Sequence, residues 1–369
     1  MAGATSRPVT AEQRLSPATV SQDGLAAYAG RLLEAARHFP RERLQRRSFA
    51  MPGLDLAVWF ASPELADLCA EMLLQQDRTA ASPHRAEVFA LDAGADGWDH
   101  PAGWDEHAGF SSREFSQILA AAGRRGFYHH DAPSWQFYDP ADGFGVQSLP
   151  SGLAMPPWEK ASPLRLFLHW AYAQAGMRLT HAATLGFDGR GALIVGASGS
   201  GKSGTTLAGV MNGLASVGDD YVAVAQGNQV TAYPVFRQFK QDPSGLRRAG
   251  VRLEAIPDSR LNWHGKIEFD PAGLAPGCIA DKLEIRAILL PHVARLERTR
   301  IEPVGAREAA LALVPSAVFQ LPGDAEEGFR FFGSIAKRLP AYRLHLSEDP
   351  REIADTIASL LSQEAGHFR

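Results

Sequence analysis

Apolar and polar residues alternate along the chain with two periods, one typical of helices and one typical of strands. Leu25, Tyr28, Leu32 and Leu33 recur at helical spacing, which predicts a helix from about Gly24 to Phe39. Strands are predicted at 47–61 (a pair), 84–91, 126–149, 179–187, 191–195, 221–225, 230–233, 283–290 and 342–346. Further helices are predicted at 63–75, 111–122, 164–176, from 205 onward and at 350–361. This interleaving indicates an α/β fold.

The pattern divides the chain into three parts. Residues 1–22 are polar and contain prolines, so we expect a disordered lead-in there. Residues 23–160 are rich in aromatic side chains and predict an N-terminal α+β domain concerned with acceptor recognition. Within it, Ser111 and Glu114 have the spacing of a helix capping box. Residues 161–369 form the second predicted domain.

Composition and charge exclude several classes of protein. The 369 residues carry 37 basic and 41 acidic side chains, and this balance gives nucleic-acid binding no electrostatic support. The two cysteines, Cys69 and Cys278, are too few and too far apart for a disulfide scaffold or a cysteine zinc site. No apolar run reaches the roughly 18 residues of a spanning helix, and the N-terminus lacks a secretory apolar core. We therefore expect a cytoplasmic protein and leave peripheral contact with the inner membrane open.

One glycine-rich segment carries the clearest chemistry. Gly196 to Ser203 matches the P-loop pattern G-x-x-x-x-G-K-[ST] and lies between an apolar strand and a helical run. In this pattern backbone N–H groups surround the phosphates of ATP, Lys202 pairs with the outer phosphates and the Ser203 hydroxyl ligates Mg²⁺. The predicted nucleotide contacts are Gly196, Ser198, Gly199, Ser200, Gly201, Lys202, Ser203 and Gly204.

The same segment also fits a second phosphate-binding pattern. Gly199 to Gly204 satisfies G-x-G-x-x-G, and Asp219 or Asp220 lies near the spacing of the ribose carboxylate in dinucleotide-binding folds. This alternative does not explain the Lys202-Ser203 pair and lacks an early βαβ unit. The P-loop interpretation is therefore favoured.

Two adjacent carboxylates, Asp219 and Asp220, precede the strand predicted at 221–225. Phosphoryl transfer to a hydroxyl uses one carboxylate to hold Mg²⁺ and benefits from another that accepts the hydroxyl proton. The pair can supply both, although adjacent aspartates also occur in ordinary polar turns. His181 begins the strands that lead into the P-loop. It either orients an aspartate or is a half-buried side chain with no role in the chemistry.

Four segments together resemble the HPr kinase/phosphorylase-like P-loop kinases, a family that includes bacterial ceramide kinases. They are His181-Ala-Ala-Thr, Asp188-Gly-Arg-Gly, the P-loop and Gly218-Asp219-Asp220-Tyr-Val. The resemblance covers about residues 162–225 and continues weakly to 340–361. It implies a P-loop kinase core of the HPr kinase C-terminal type behind an N-terminal α+β domain.

The resemblance also implies roles for individual residues. Ser203 and one aspartate would hold Mg²⁺, while the other aspartate would act as base on the acceptor hydroxyl with His181 tuning it. We assign Asp219 as the base and Asp220 as the metal ligand, with little in the sequence to separate them. Lys202 completes the predicted catalytic set.

Two departures from the family pattern bear on the acceptor. The members that phosphorylate proteins carry an acidic residue directly after the P-loop Lys-Ser, where this chain has Gly204. Their signature loop after the aspartate pair is also missing. Residues 283–286 (LEIR) are similar to part of that loop, but they lie too far downstream and predict a buried strand. HPr is therefore a disfavoured acceptor.

Several acceptors remain for an ATP- and Mg²⁺-dependent kinase. The family includes kinases for free serine, for the C-terminal serine of small peptides and for bacterial ceramide. We favour a lipid hydroxyl of the ceramide type, which would give ceramide 1-phosphate, over a serine of a protein, a peptide or the free amino acid. A second alternative is a regulator that binds ATP and transfers nothing. The aspartate pair disfavours it, because binding alone requires no base.

Side chains outside the motifs are weaker candidates. The aromatic residues of 92–160 either line an apolar acceptor pocket or form the core of a β-rich domain, and the core is favoured; the tryptophans are Trp98, Trp104, Trp135 and Trp158. The histidines of that region fit no metal motif; they are His100, His107, His129 and His130. Arg237 and Lys240 either neutralise a migrating phosphoryl group or are surface charges.

Overall fold

A computed structural model describes residues 22–78, 80–92, 98, 110–129, 134–149, 155–318, 321–323 and 325–363. The expected lead-in lies outside this part of the chain except for Gln22, which begins the first helix. Trp104 and three of the N-terminal histidines, His100, His107 and His130, also lie outside the described residues. No helix of the described ranges is long and apolar enough to cross a membrane.

The fold is mixed α/β and contains several mixed sheets. Its helices are α1 (Gln22–Arg37), α2 (Pro63–Met72), α3 (Ser112–Ala121), α4 (Arg165–Gln174), α5 (Lys202–Met211), α6 (Pro243–Arg248), α7 (Ala306–Val318), α8 (Ala325–Arg338) and α9 (Pro350–Ser362). Its first strands are β1 (Gln45–Met51), β2 (Leu54–Phe60), β3 (Arg85–Asp92), β4 (Arg125–His129), β5 (Ser134–Asp139), β6 (Phe144–Leu149), β7 (Met177–Thr180), β8 (Ala183–Phe187) and β9 (Arg190–Ile194). The later strands are β10 (Val222–Gln226), β11 (Val230–Tyr233), β12 (Phe239–Gln241), β13 (Arg260–Leu261), β14 (Ile267–Phe269), β15 (Leu283–Leu296), β16 (Arg300–Val304) and β17 (Ala341–Ser347).

The first sheet has six strands in the order β1-β2-β3-β6-β5-β4. Its inner pairs, β2 with β3 and β3 with β6, are parallel. Successive side chains of a strand point to opposite faces. Val88 and Ala90 therefore pack with α2 and α4, whereas Phe89 and Leu91 pack with α1 and α3. The sheet is covered by helices on both sides, and Ser111 and Glu114 form the predicted capping box at the start of α3.

The aromatic residues of this part fill the layer between the sheet and helices α1 and α3. Trp135 is fully buried, and its ring centroid lies 5.3 Å from those of both Tyr28 and Phe137. Trp98 is buried in the same cluster and donates a hydrogen bond to Ser148 Oγ at 3.0 Å. For these residues the predicted core is confirmed, because no face of their rings is left for a ligand.

The second sheet has eight strands and delivers the glycine-rich segment to one of its edges. Its main path is β16-β17-β15-β11-β10-β7, and β9 pairs in parallel with β15 and antiparallel with β8. Helices α5 and α9 cover one face, and α7 and α8 cover the other. Because parallel β9 and β15 end at the same edge, residues that follow β9 lie in the crevice where α/β sheets commonly bind ligands.

A small antiparallel sheet, β12-β14-β13, lies beside this edge. Phe239, Ile267 and Phe269 on one of its faces join the apolar cluster that holds α5 and α9. Residues paired directly across antiparallel strands share a face. Lys240 and Glu268 are such a pair, so the second face of this sheet is polar.

The two large sheets are joined through α4. Its residues 166–172 are all buried, which is the pattern of a helix enclosed on every side. It contacts β3 and β5 of the first sheet and β7 of the second. A backbone link adds to this junction, because Leu74 N donates to Val235 O and Arg237 N donates to Met72 O, each at 2.9 Å. The parts before and after residue 160 therefore share one apolar core.

Some elements differ from the sequence prediction. The strand predicted at 179–187 was wrong as a single element, because the chain breaks at His181 and Ala182 so that β8 can pair with β9 while β7 pairs with β10. Strand β15 continues to Leu296, where it follows β17 along an exposed edge. Helices α6 to α8, strand β16 and the small sheet were not predicted. The strands of the small sheet contain only two or three residues each, which is too few for a period to show.

Candidate active site

The glycine loop, residues 196–201, connects the end of β9 to the first turn of α5. The backbone φ angles are 141° at Gly196, 80° at Gly199 and 110° at Gly201. Side chains other than glycine rarely adopt such values. A Cβ at Gly201 would also lie 2.8 Å from the Leu346 side chain, so both conformation and space require glycine there. The loop has the strand-before and helix-after context that the sequence predicted.

Lys202 is the first residue of α5 and folds back across the loop. Its Nζ donates to the carbonyl oxygens of Gly196 at 2.7 Å and Ala197 at 3.2 Å. Burial lowers the pKa of this ammonium, while Asp220 and Asp219 act in the opposite direction. The lysine charge and the N–H groups of the helix N-terminus therefore meet at one place, an arrangement that attracts anions.

The polar residues of the loop differ in exposure. Ser198 and Gly199 are exposed, whereas Ser200 is half-buried and its Oγ is enclosed without a hydrogen-bond partner. Ser203 lies half-buried in the first turn of α5. Gly204 follows it, and a Cβ at this position would lie 3.6 Å from Nε2 of Gln241.

Asp219 is a buried carboxyl with a raised pKa. It is 4% exposed, and its Oδ2 accepts a hydrogen bond from Lys240 N at 3.1 Å. The pKa of Asp219 is raised to about 6, chiefly by burial and also by neighbouring Asp220, while the Lys240 N–H and the nearby Ser203 hydroxyl act to lower it. Its Oδ1 is enclosed without a well-formed hydrogen bond. Asp219 therefore has one oxygen available near Ser203.

Asp220 is held ionised by Lys240 and His181. Its Oδ2 lies 2.8 Å from Lys240 Nζ, and its Oδ1 lies 2.8 Å from His181 Nε2. Burial works against ionisation, but Lys240 and His181 together hold the pKa of Asp220 well below its usual range. The same contact raises the pKa of Lys240 despite its burial. The two aspartates are adjacent in sequence, yet their environments push their pKa values apart, as in many acid–base sites.

These contacts are distributed differently from the expectation. The family resemblance pairs Ser203 with an aspartate, assigned as Asp220, for the metal and His181 with the other, Asp219, for the base. In the structure His181 pairs with Asp220, and Ser203 lies beside Asp219.

The residues present fit a hard cation. The enclosed Oδ1 of Asp219 and the Ser203 hydroxyl are oxygen donors of the kind that Mg²⁺ prefers. Within the described ranges no group of three His, Cys, Asp or Glu side chains could hold a metal by itself. A cation here would complete its shell with phosphate oxygens and water, which is how Mg²⁺ is usually bound beside a nucleotide.

The side chains that the sequence offered as weaker site candidates differ in whether they belong to this site. Lys240 belongs to the site through Asp220, whereas Arg237 points away, donating to Glu71 O at 2.9 Å and pairing with Asp270. The Nε2 atom of His129 lies 3.1 Å from the buried carboxylate of Glu159, within hydrogen-bond distance. Trp158 is half-buried, and its ring lies beside that of Trp263.

Sequence reasoning missed a buried polar chain behind Asp220. Glu159 is fully buried and lies 3.6 Å from the Arg165 guanidinium, which donates to Tyr221 Oη at 3.2 Å. The Tyr221 ring centroid lies 5.1 Å from that of His181. No local motif links these residues, and the only signal was a tyrosine directly after the aspartate pair.

The comparisons with known proteins do not show a family for this chain. No protein-family model matches the chain, and no curated protein matches it. Among solved structures, the Hpr(Ser) kinase/phosphatase from Coxiella burnetii is similar over 50% of this chain and 95% of that chain, with 16% sequence identity and a TM-score of 0.27. A likeness of this strength carries no conclusion about function, which must come from the site residues.

Proposed function

We propose that this protein is a kinase that uses ATP and Mg²⁺ to phosphorylate a hydroxyl group. The observation that carries the proposal is the meeting of the glycine loop, Lys202 and two unequal aspartates in one site. A glycine loop alone would suit any nucleotide-binding protein. The added pair of carboxyls, one with a raised pKa and one held ionised, is what transfer from a nucleotide to a hydroxyl uses.

The glycine loop binds the phosphates in this proposal. Its positive-φ glycines turn backbone N–H groups inward, and the N-terminus of α5 adds partial positive charge. Lys202 exchanges its loop carbonyls for the outer phosphates of ATP. The assigned nucleotide contacts are Gly196, Ser198, Gly199, Ser200, Gly201, Lys202, Ser203 and Gly204.

Asp219 and Ser203 would hold Mg²⁺, which exchanges the roles first assigned to the two aspartates. When bound, Mg²⁺ stabilises the charge that develops on the transferred phosphoryl group. The proton and the cation compete for the same carboxylate. Because the pKa of Asp219 is about 6 in the metal-free fold, metal binding should weaken below about pH 6.

Asp220 receives the acceptor. The acceptor oxygen bonds to the γ-phosphorus, the bond from that phosphorus to the ADP oxygen breaks, and the hydroxyl proton passes to Asp220. His181 and Lys240 fix the carboxylate in position. The low pKa of Asp220 makes it a weak proton acceptor, so its main contribution is orientation, on which phosphoryl transfer largely depends.

A lipid hydroxyl of the ceramide type is the favoured acceptor, giving ceramide 1-phosphate. Large apolar side chains are exposed close to the site, with Trp263 at 54% and Leu261 at 69%. Such side chains suit an amphiphilic acceptor presented at a membrane surface. A serine of a protein, a peptide or the free amino acid is the alternative.

One experiment separates these functions. The protein is incubated with γ-labelled ATP and a total cell extract, and the products are partitioned between organic and aqueous phases. We expect label in the organic phase, and we expect Lys202→Ala to abolish it. Label on polypeptide or on free serine would replace the lipid acceptor with a serine acceptor. Absence of label in every fraction, with ATP still bound, would identify a regulator that transfers nothing.

A further inference from the structure

A cleft of about 260 Å³ opens beside the candidate active site. It lies between the small sheet and the first part of the chain, and it has no part in the nucleotide site described above. Its lining residues come from four separate segments: Met72, Pro157, Lys160, Gln238, Arg260, Leu261, Asn262, Trp263 and Glu268.

The floor of the cleft is polar and leads to Asp220. Lys240, Glu268 and Arg260 lie directly opposite one another across the three strands of the small sheet, so they share one face. Lys240 at one end pairs with Asp220, and Glu268 raises the pKa of Lys240 from the adjacent strand. Asn262 donates to Glu268 Oε1 at 3.1 Å. Hydrogen-bonding groups therefore run from the acceptor carboxylate to the cleft.

The rim of the cleft is apolar and exposed. Leu261 and Trp263 stand on the β13–β14 hairpin, and the Trp263 ring centroid lies 5.7 Å from that of Trp158. Leu261 is 69% exposed and Trp263 is 54% exposed. Apart from Leu311, no other large apolar side chain of the described residues is as exposed as either of them. Two such residues together at the mouth of a polar cleft match a ligand that has a polar end and an apolar end.

We propose that this cleft is the acceptor site. The polar end of the acceptor lies on the polar floor, beside Gln238 and Glu268, and its apolar chain packs against Leu261, Trp263 and Trp158. The inference rests on the proposed kinase function and deepens it, because it names the residues that select the acceptor. It predicts that selectivity for long apolar chains resides in the hairpin and not in the aromatic core of the first sheet.

The test uses the full chain with ceramides of short and long acyl chain in detergent micelles, and a serine peptide for comparison. We expect Trp263→Ala and Leu261→Gln each to raise KM for long-chain ceramide about tenfold, the cost of losing one large apolar contact. The effect on short-chain ceramide should be smaller. Nucleotide affinity measured in the same samples reports whether the glycine loop is intact.

Two variants serve as matched controls. Phe329 on α8 is 51% exposed and Leu311 on α7 is 64% exposed, and neither lines the cleft. Phe329→Ala and Leu311→Gln should leave KM for both ceramides unchanged. A KM for long-chain ceramide that is the same in the hairpin variants and the wild type would overturn the cleft assignment while leaving the kinase function standing. Transfer to the serine peptide in place of ceramide would also overturn it, and absence of transfer to any acceptor would overturn the kinase function itself.

Discussion

At the scale of single residues, the site depends on two adjacent aspartates that the fold treats in opposite ways. Asp219 has a single backbone donor at Oδ2 and a raised pKa, whereas Asp220 has Lys240 and His181 as side-chain partners and a depressed pKa. The same substitution at the two positions should therefore change stability in opposite directions.

We predict that Asp219→Asn stabilises the protein and that Asp220→Asn destabilises it. The folded state binds more protons than the unfolded state between pH 3.8 and about 6 because of Asp219, so its contribution to stability falls as the pH rises through this window. Removing that ionisation should gain on the order of 2 kcal/mol at about pH 8. Asp220 contributes stability above its unfolded pKa, and its loss removes the carboxylate that lies 2.8 Å from Lys240 Nζ, at a cost of about 2 kcal/mol.

Thermal unfolding of both variants across this pH range provides the measurement. Wild-type protein and Asp219→Asn should converge near about pH 4, where Asp219 is protonated. If Asp219→Asn lowered the melting temperature at about pH 8, the raised pKa would not be the controlling feature of this carboxyl.

At the scale of elements, α4 carries a buried histidine into the junction between the sheets. His169 is 3% exposed, and neither ring nitrogen has a hydrogen-bond partner within the described part of the chain. The pKa of His169 is lowered to about 3, chiefly by burial and also by the positive charges of Arg178, Arg125 and Arg165. The helix therefore requires this ring to be neutral.

We predict that His169→Leu reduces the loss of stability in acid. Below its ordinary pKa of about 6.5 the histidine takes up a proton in the unfolded chain but not in the folded one, so stability falls as the pH falls toward 3. At about pH 5 this loss should amount to about 2 kcal/mol, and the leucine variant should lack it. Chemical denaturation at about pH 8 and about pH 5 measures the difference. Equal pH dependence in the two proteins would show that His169 does not control it.

At the scale of the whole molecule, the first sheet is connected to Asp220 by the buried polar chain from Glu159 through Arg165 and Tyr221 to His181. Glu159 is in the first part of the chain, and Asp220 is at the edge of the second sheet. The buried Glu159 carboxylate has three partners, His129, Gln136 and Arg165, which fix the first member of this buried polar chain in position.

We predict that Arg165→Gln and Tyr221→Phe lower kcat several-fold and leave KM for ATP unchanged, because these residues position His181 and do not contact nucleotide. Their effects should be less than additive in the double variant, since both interrupt the same hydrogen bond. Steady-state kinetics of the wild type, the two single variants and the double variant completes a double-mutant cycle. Fully additive losses would mean that the two residues act independently.

Much of the local structure followed from the sequence. The capping box at Ser111 needs only four consecutive residues, and the Gly196–Ser203 segment needs only one strand, one loop and one helix turn. The burial of Trp98 and Trp135 was also predicted correctly, because most such residues pack inside. The strand break at His181 did not follow, since it depends on which neighbouring strand each half pairs with.

The sequence by itself determined the residue types on which the chemistry depends: a glycine loop with positive φ angles, Lys202 at the start of a helix, and two carboxylates before a strand. Only the tertiary structure decided how they are used. It placed His181 and Lys240 on Asp220 and left Asp219 beside Ser203, and it assembled a cleft from Met72, Pro157, Gln238 and Trp263. The physical reason is that a loop motif is made by neighbours along the chain, whereas a pKa and a binding cleft are made by neighbours in space.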